Sequence, residues 1–212
     1  MLRHTRDLRG FAVSLALLAG YVDALGFLKL GGFFVSFMSG NSTRLGVGLA
    51  HGPADAAIAV SLITSFVVGV ILGTFVGRVR KIRRGPAVLF LVAALLATAA
   101  SADLWGIPGF AVLVMAAAMG AENAVFERNG EVSIGVTYMT GTLVKLGQRI
   151  CDALLGGDRL AWVWYLLLWL GLVIGATIGT LIYPRLGLQG LWIAAAVATA
   201  QALFALRLKL AE

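Results

Sequence analysis

The stretch Val35-Ser36-Phe37-Met38-Ser39-Gly40 returns 101 positions later as Val136-Thr137-Tyr138-Met139-Thr140-Gly141. Every mismatch between the two copies is conservative, because serine faces threonine and phenylalanine faces tyrosine. Neighbouring sequence repeats in the same order at almost the same shift, so that Gly20 meets Gly120. This recurrence predicts that the chain consists of two copies of one unit, residues 1–102 and residues 103–212.

The composition indicates a membrane protein. Of the 212 residues, 60% are hydrophobic and 13% are charged, and the mean hydropathy is +0.94. A soluble domain carries about 25% charged residues. A membrane-spanning helix needs about 20 apolar residues. We therefore predict an all-α integral membrane protein with about six transmembrane helices, at residues 10–28, 56–77, 86–102, 107–126, 160–183 and 188–206.

Two shorter and more polar segments, 32–50 and 131–149, carry the repeated stretch. Residues 33–37 are aromatic and β-branched, which favours an extended chain. The polar residues 39–43 that follow are typical of a helix N-terminus. We expect both segments to be broken or re-entrant. The alternative is that both are ordinary spans whose small polar residues allow tight helix packing.

Basic residues decide how the two units are oriented. They are concentrated within 78–84 and at the N-terminus, at Arg3, Arg6 and Arg9. Such clusters beside apolar helices are cytoplasmic anchors rather than a nucleic-acid-binding face. If both clusters are cytoplasmic, segment 32–50 returns to the side that it left. The units are then inverted repeats, with both termini in the cytoplasm; eight spans in two parallel repeats are the alternative.

The polar residues of the two units predict a shared substrate site. Half-helix N-termini inside a membrane present free N–H groups that suit an anion. An acid at the centre of a span costs about 2.5–3.5 kcal/mol, so we expect Asp23 and Glu122 to have basic partners. The candidates are Arg44 and Lys145, either in a proton or cation relay or in a static salt bridge. The predicted substrate-binding residues are Asp23, Ser39, Gly40, Asn41, Arg44, Glu122, Asn123, Thr140, Gly141, Thr142 and Lys145.

Glycines recur at every fourth position in one predicted helix of each unit. At a shift of 102, Gly69, Gly73 and Gly77 match Gly171, Gly175 and Gly179. Gly-xxx-Gly stripes allow close backbone approach. We expect them to pack helices within the chain or to join protomers in a homo-oligomer.

Several of these motifs resemble the YoaK-like family of uncharacterised bacterial inner-membrane proteins. The stretches Gly20-Tyr21-Val22-Asp23-Ala24 and Phe37-Met38-Ser39-Gly40-Asn41 resemble its GYVDA and MTGN motifs, and Leu45-Gly46 follows them. Its QNA triplet appears here as Glu122-Asn123-Ala124, so that an acid stands where glutamine is usual. The resemblance implies a multi-pass protein of the bacterial inner membrane.

The function favoured by these patterns is a small secondary transporter or channel for a small solute, with an anion as one candidate. Duplicated, broken segments with central polar groups are typical of transporter sites. A membrane scaffold or sensor subunit is the alternative. We do not expect an enzyme, a cofactor or a metal: the two histidines and the single cysteine, Cys151, form no catalytic or metal-binding pattern.

Overall fold

The computed structural model describes residues 2–80, 83–128, 131–132 and 135–207. Lys81 of the predicted basic cluster, residues 133–134 of segment 131–149, and the side chains of Arg3 and Arg6 lie outside the described part. The described α-helices are α1 (Leu2–Leu30), α2 (Met38–His51), α3 (Pro53–Val79), α4 (Arg84–Leu104), α5 (Pro108–Glu122), α6 (Met139–Leu154), α7 (Val163–Leu186) and α8 (Leu191–Arg207). The predicted all-α class is confirmed; β1 (Glu127–Arg128) and β2 (Glu131–Val132) form a two-residue antiparallel pair.

Six of these helices coincide with the six predicted spans. Long apolar stretches cover Leu8–Leu30, Pro53–Val79, Arg84–Leu104, Pro108–Phe126 and Val163–Arg207. The last stretch has 45 residues, and as one helix it would be about 67 Å long, twice the thickness of the bilayer core. It contains α7 and α8, which are separated by the 3₁₀ turn Gly187–Gly190. Helix α7 ends there because Gly187 adopts a positive φ of 54°.

The glycine stripe of α7 packs against α1 along its whole length. Gly171 faces Val13, Gly175 faces Leu17, and Gly179 faces Tyr21. Residue numbers rise together along both helices, so α1 and α7 run parallel.

The stripe of α3 packs in the same way against α5, with Gly69 on Ala117 and Gly73 on Ala121. All six glycines of the two stripes are buried within the chain. Any association between protomers would therefore use other surfaces.

Polar contacts group the helix ends at two levels. At the first level, Arg84 Nε donates to the Ala124 carbonyl at 3.2 Å, and Arg84 also forms an ion pair with Glu127. At the second level, Gln189 Nε2 donates to Asp103 Oδ2 at 2.8 Å, and Tyr21 donates to the Gly190 carbonyl at 2.9 Å.

Together with the parallel pairs, these contacts place the starts of α1, α4 and α7 and the ends of α3, α5 and α8 at the first level. We call it the basic end, because it holds Arg9, Arg78, Arg80, Arg83, Arg84, Arg159 and Arg207. The other level, which we call the opposite end, holds the end of α1, the start of α3 and the turn between α7 and α8.

Candidate functional site

The break in the first unit follows α1 at the opposite end. Gly31 and Gly32 turn the chain with φ values of 64° and 115°, and residues 33–37 are not helical. Asp23 Oδ1 accepts hydrogen bonds from the amides of Val35 and Ser36, both at 2.8 Å. A carboxylate inside α1 thus satisfies two N–H groups that a helix would otherwise have paired.

Asn41 holds the same break from the other side. Its Oδ1 accepts from the Phe34 amide at 3.1 Å, and its Nδ2 donates to the Phe34 carbonyl at 2.6 Å. The side chain is completely buried. Asn41 therefore replaces the backbone partner that Phe34 would have in a continuous helix.

The break in the second unit has a related arrangement. Asn123 Oδ1 accepts from the Thr137 hydroxyl at 2.9 Å, and Asn123 Nδ2 donates to the Met119 carbonyl at 2.9 Å. Asn123 occupies the position of Asp23, and Thr137 the position of Ser36, at shifts of 100 and 101. In both units, a side chain near the end of the first helix holds the same point of the break.

The acids and bases of the predicted site do not pair with each other. In the described part of the chain, ion pairs join Glu127 to two arginines and Arg149 to Asp152. Arg44 instead lies over the Phe33 ring, 4.8 Å from its centroid. The expectation that Arg44 and Lys145 would partner the acids was therefore wrong. Backbone amides, which a reading of charges alone overlooks, are the partners of Asp23.

The half-helices begin earlier than predicted. Helix α2 begins at Met38 and α6 at Met139, without a side-chain cap. The Asn41 amide donates to the Phe37 carbonyl at 3.2 Å, and the Thr142 amide donates to the Tyr138 carbonyl at 3.0 Å. These two amides are bound within their own helices, which corrects the expectation that they are free N–H groups of a shared substrate site.

The predicted residues differ in their exposure. Helix α2 packs mainly against α3, and α6 against α7, so the two half-helices have different main neighbours. Asp23, Gly40 and Arg44 are half-buried. Asn41, Glu122, Asn123 and Thr142 are buried, whereas Ser39, Thr140, Gly141 and Lys145 are exposed.

Glu122 is the least satisfied group of the predicted set. Its exposed fraction is 0%, and neither carboxylate oxygen has a hydrogen-bond partner among the described residues. A buried charge without a partner is strongly unfavourable. An acceptor in this state suits a bound cation or a proton.

Sequence reasoning missed a second buried acceptor, Gln201 in α8. Its Nε2 donates to the Ser14 carbonyl at 3.0 Å, while its Oε1 has no partner in the described part of the chain. The available signal was an amide side chain in the middle of the apolar run 191–206. The described residues contain no group of three or more His, Cys, Asp or Glu side chains that could hold a metal ion.

Comparison with known proteins identifies relatives across most of the chain. A transmembrane protein of Rhizobium meliloti (strain 1021), UPF0700 transmembrane protein RA0705, is 36% identical over 195 residues, which cover 91% of this chain and 84% of the relative. UPF0700 transmembrane protein YoaK of Bacillus subtilis (strain 168) is 32% identical over 150 residues, 66% of each chain. No solved structure matches.

The family described as "Protein of unknown function (DUF1275)" matches residues 11–204. This range runs from the first turns of α1 into the last turn of α8. The predicted YoaK-like resemblance is confirmed, and with its long apolar helices and its transmembrane relatives the chain is a membrane protein that belongs to the DUF1275 family.

Proposed function

We propose that the protein is a small secondary transporter or channel that moves a small solute across the bacterial inner membrane. The observation that carries this proposal is the pair of helix breaks at 31–37 and 135–138. Non-helical backbone at membrane depth is tolerated only where protein buries it or where it lines a cavity. The buried side chains of Asn41 and Asn123 hold these breaks in place, as expected for a functional feature.

Inverted repeats are part of this proposal. The contact of Gly175 with Leu17 corresponds to the contact of Gly69 with Ala117. In this correspondence α1 maps onto α5 at a shift of 100, and α3 maps onto α7 at a shift of 106. The pair Gly20 and Leu172 corresponds in the same register to Gly120 and Phe66. This register differs by about one helical turn from the shift of 102 that the sequence suggested.

The positions of the helix ends support re-entrant segments. Helix α1 ends at the opposite end and α3 begins there, so residues 31–52 leave and return at one level. Helix α5 ends at the basic end and α7 begins there, so the connection between them, residues 123–162, leaves and returns at the basic end. The positive-inside rule supports a cytoplasmic basic end, and with it cytoplasmic termini.

The charges of the two half-helices suggest the substrate. Arg44 and Lys145 occupy matching positions at a shift of 101 and pair with no acid in the described part of the chain. Two unpaired cations favour a small anion. The free acceptor oxygens of Glu122 and Gln201 favour a cation or a proton that is transported together with the anion.

Flux measurements test this proposal. The purified protein is reconstituted in liposomes, and uptake of a panel of small inorganic and organic anions is measured with and without a proton gradient. We expect uptake of at least one anion, and Arg44→Gln should reduce it about tenfold or more, the loss of a charge-assisted hydrogen bond. Arg159→Gln, outside the half-helices, is the matched control.

The alternative function is a scaffold or sensor subunit. It predicts a folded protein with no flux for any solute in the panel. Flux that survives both Arg44→Gln and Lys145→Gln would reject the assignment of the anion site while keeping transport.

A further inference from the structure

An apolar cavity of about 380 Å³ lies at the basic end, between the start of α1 and the start of α7. Its lining is Arg9, Gly10, Val13, Leu160, Val163, Trp164 and Leu167. A volume of this size lies in the range of small-ligand pockets, roughly 300–1,000 Å³. The cavity is separate from the helix breaks, because none of its lining residues belongs to 31–37 or 135–138.

Arg9 is the one charged residue of this lining. Its guanidinium carbon lies 5.7 Å from the centroid of the Trp164 ring, a cation–π contact. Arg9 forms no ion pair with an acid in the described part of the chain. The arginine is therefore positioned by an aromatic ring while its charge remains available to an anion.

The level of the cavity in the membrane limits what can fill it. Trp164 lies in the first turn of α7, and tryptophans mark the boundary between the bilayer core and the headgroups. The other walls, formed by Val13, Val163 and Leu167, continue along the apolar surface of α1 and α7. A freely soluble anion would gain nothing from these walls, whereas an amphiphile with an anionic head would use both parts.

We propose that this cavity binds an acidic phospholipid of the cytoplasmic leaflet. The headgroup phosphate pairs with the Arg9 guanidinium, and the start of an acyl chain packs against Val13 and Leu167. Basic pockets between transmembrane helices on the cytoplasmic side are suited to anionic headgroups. The site does not depend on the transport proposal, because it needs only that the basic end lies at the headgroup level.

Native mass spectrometry of the detergent-solubilised protein tests the site. Phosphatidylglycerol and phosphatidylcholine are titrated separately, and the retained lipid is counted. We expect phosphatidylglycerol to bind more tightly than phosphatidylcholine, and Arg9→Gln to weaken its binding about tenfold or more, the loss of a charge-assisted hydrogen bond to the headgroup phosphate. Arg159→Gln, at the same end but outside the cavity, should leave binding unchanged.

A second variant tests the apolar part of the site. A Cβ built on Gly10 would meet nothing within 4 Å, so Gly10→Phe can fill the cavity without a backbone clash. We expect the Gly10→Phe variant to retain less phosphatidylglycerol, although Arg9 is still present and the melting temperature does not change. Equal binding of both lipids, equal losses in Arg9→Gln and Arg159→Gln, or full retention in Gly10→Phe would each overturn the proposal.

Discussion

Replacing Gly73 by alanine probes the close approach of α3 and α5. A Cβ at this position would lie 2.7 Å from the Ala121 carbonyl oxygen and 2.8 Å from the Ala121 Cα. A carbon–oxygen contact needs about 3.3 Å, so the two helices would have to separate by roughly 0.6 Å. Since the obstacle is backbone, it cannot rotate away as a side chain does. We expect Gly73→Ala to lower the free energy of unfolding by about 2 kcal/mol, within the range of overpacking.

Two further glycines make this prediction a graded series. A Cβ on Gly175 would penetrate the Leu17 carbonyl more deeply than one on Gly73 penetrates Ala121, so Gly175→Ala should cost more. A Cβ on Gly46 in α2 would meet nothing within 4 Å. Because alanine is preferred over glycine in helices by up to about 1 kcal/mol, Gly46→Ala should be neutral or stabilising.

Thermal unfolding of the purified variants, followed by intrinsic fluorescence and size-exclusion chromatography, measures this order. For a chain of this size, 1 kcal/mol corresponds to about 2–4 °C in melting temperature. Gly73→Ala should therefore melt about 4–8 °C below the parent protein. If Gly73→Ala and Gly175→Ala melt together with Gly46→Ala, the stripes do not form the tight helix contacts described above and the reasoning fails.

Three further predictions concern the breaks, the buried acid and the topology. Asp23→Ala leaves two buried amides without an acceptor and should destabilise the protein by about 3 kcal/mol. Asp23→Asn imitates the second unit and should lower the melting temperature clearly less in the same assay. Equal losses of stability in the two variants would show that the amides are solvated. Glu122→Gln replaces a buried ionisable group without losing a hydrogen bond, so the melting temperature should stay or rise. A marked fall would reveal a partner for the Glu122 side chain. In a Cys151→Ser background, a cysteine at Arg83 should be labelled by a membrane-impermeant maleimide only in opened cells, and a cysteine at Trp105 in intact cells. Labelling of the Arg83 position in intact cells would contradict inverted repeats and favour eight spans.

The helices were predictable because their signal is local. Twenty-residue apolar stretches and Gly-xxx-Gly spacing depend on composition and period alone. The predicted segment 56–77 accordingly falls inside α3. The register between α3 and α7 was not predictable, because the shift of 102 matches three pairs of glycines in sequence, whereas the shift one turn further along, 106, matches two. Contacts in the folded chain, such as Gly73 with Ala121 and Gly179 with Tyr21, favour the shift of 106.

The site was only partly predictable for a different reason. Asp23, Asn41 and Asn123 were identified correctly as unusual polar groups, but their partners are backbone amides, a side-chain hydroxyl and carbonyls of non-helical or helix-end residues. A backbone group carries no sequence signal, so a reading based on opposite charges assigned Arg44 to an acid. Gln201 was missed because its unusual environment appears only when α8 packs near Ser14.

The parallel pairing of α1 with α7 has a consequence for biogenesis. Leu17 packs against Gly175, so the first helix leaves the ribosome 158 residues before its main partner. At ordinary rates of synthesis, about 5–20 residues per second, this interval lasts roughly 10–30 s. During that time the surface of α1 that will receive the α7 stripe is covered only by lipid or by the insertion machinery. A chain that ends after residue 102 would therefore be inserted without α7, the helix against which α1 mainly packs. The two halves of the protein should become stable only when both are synthesised together.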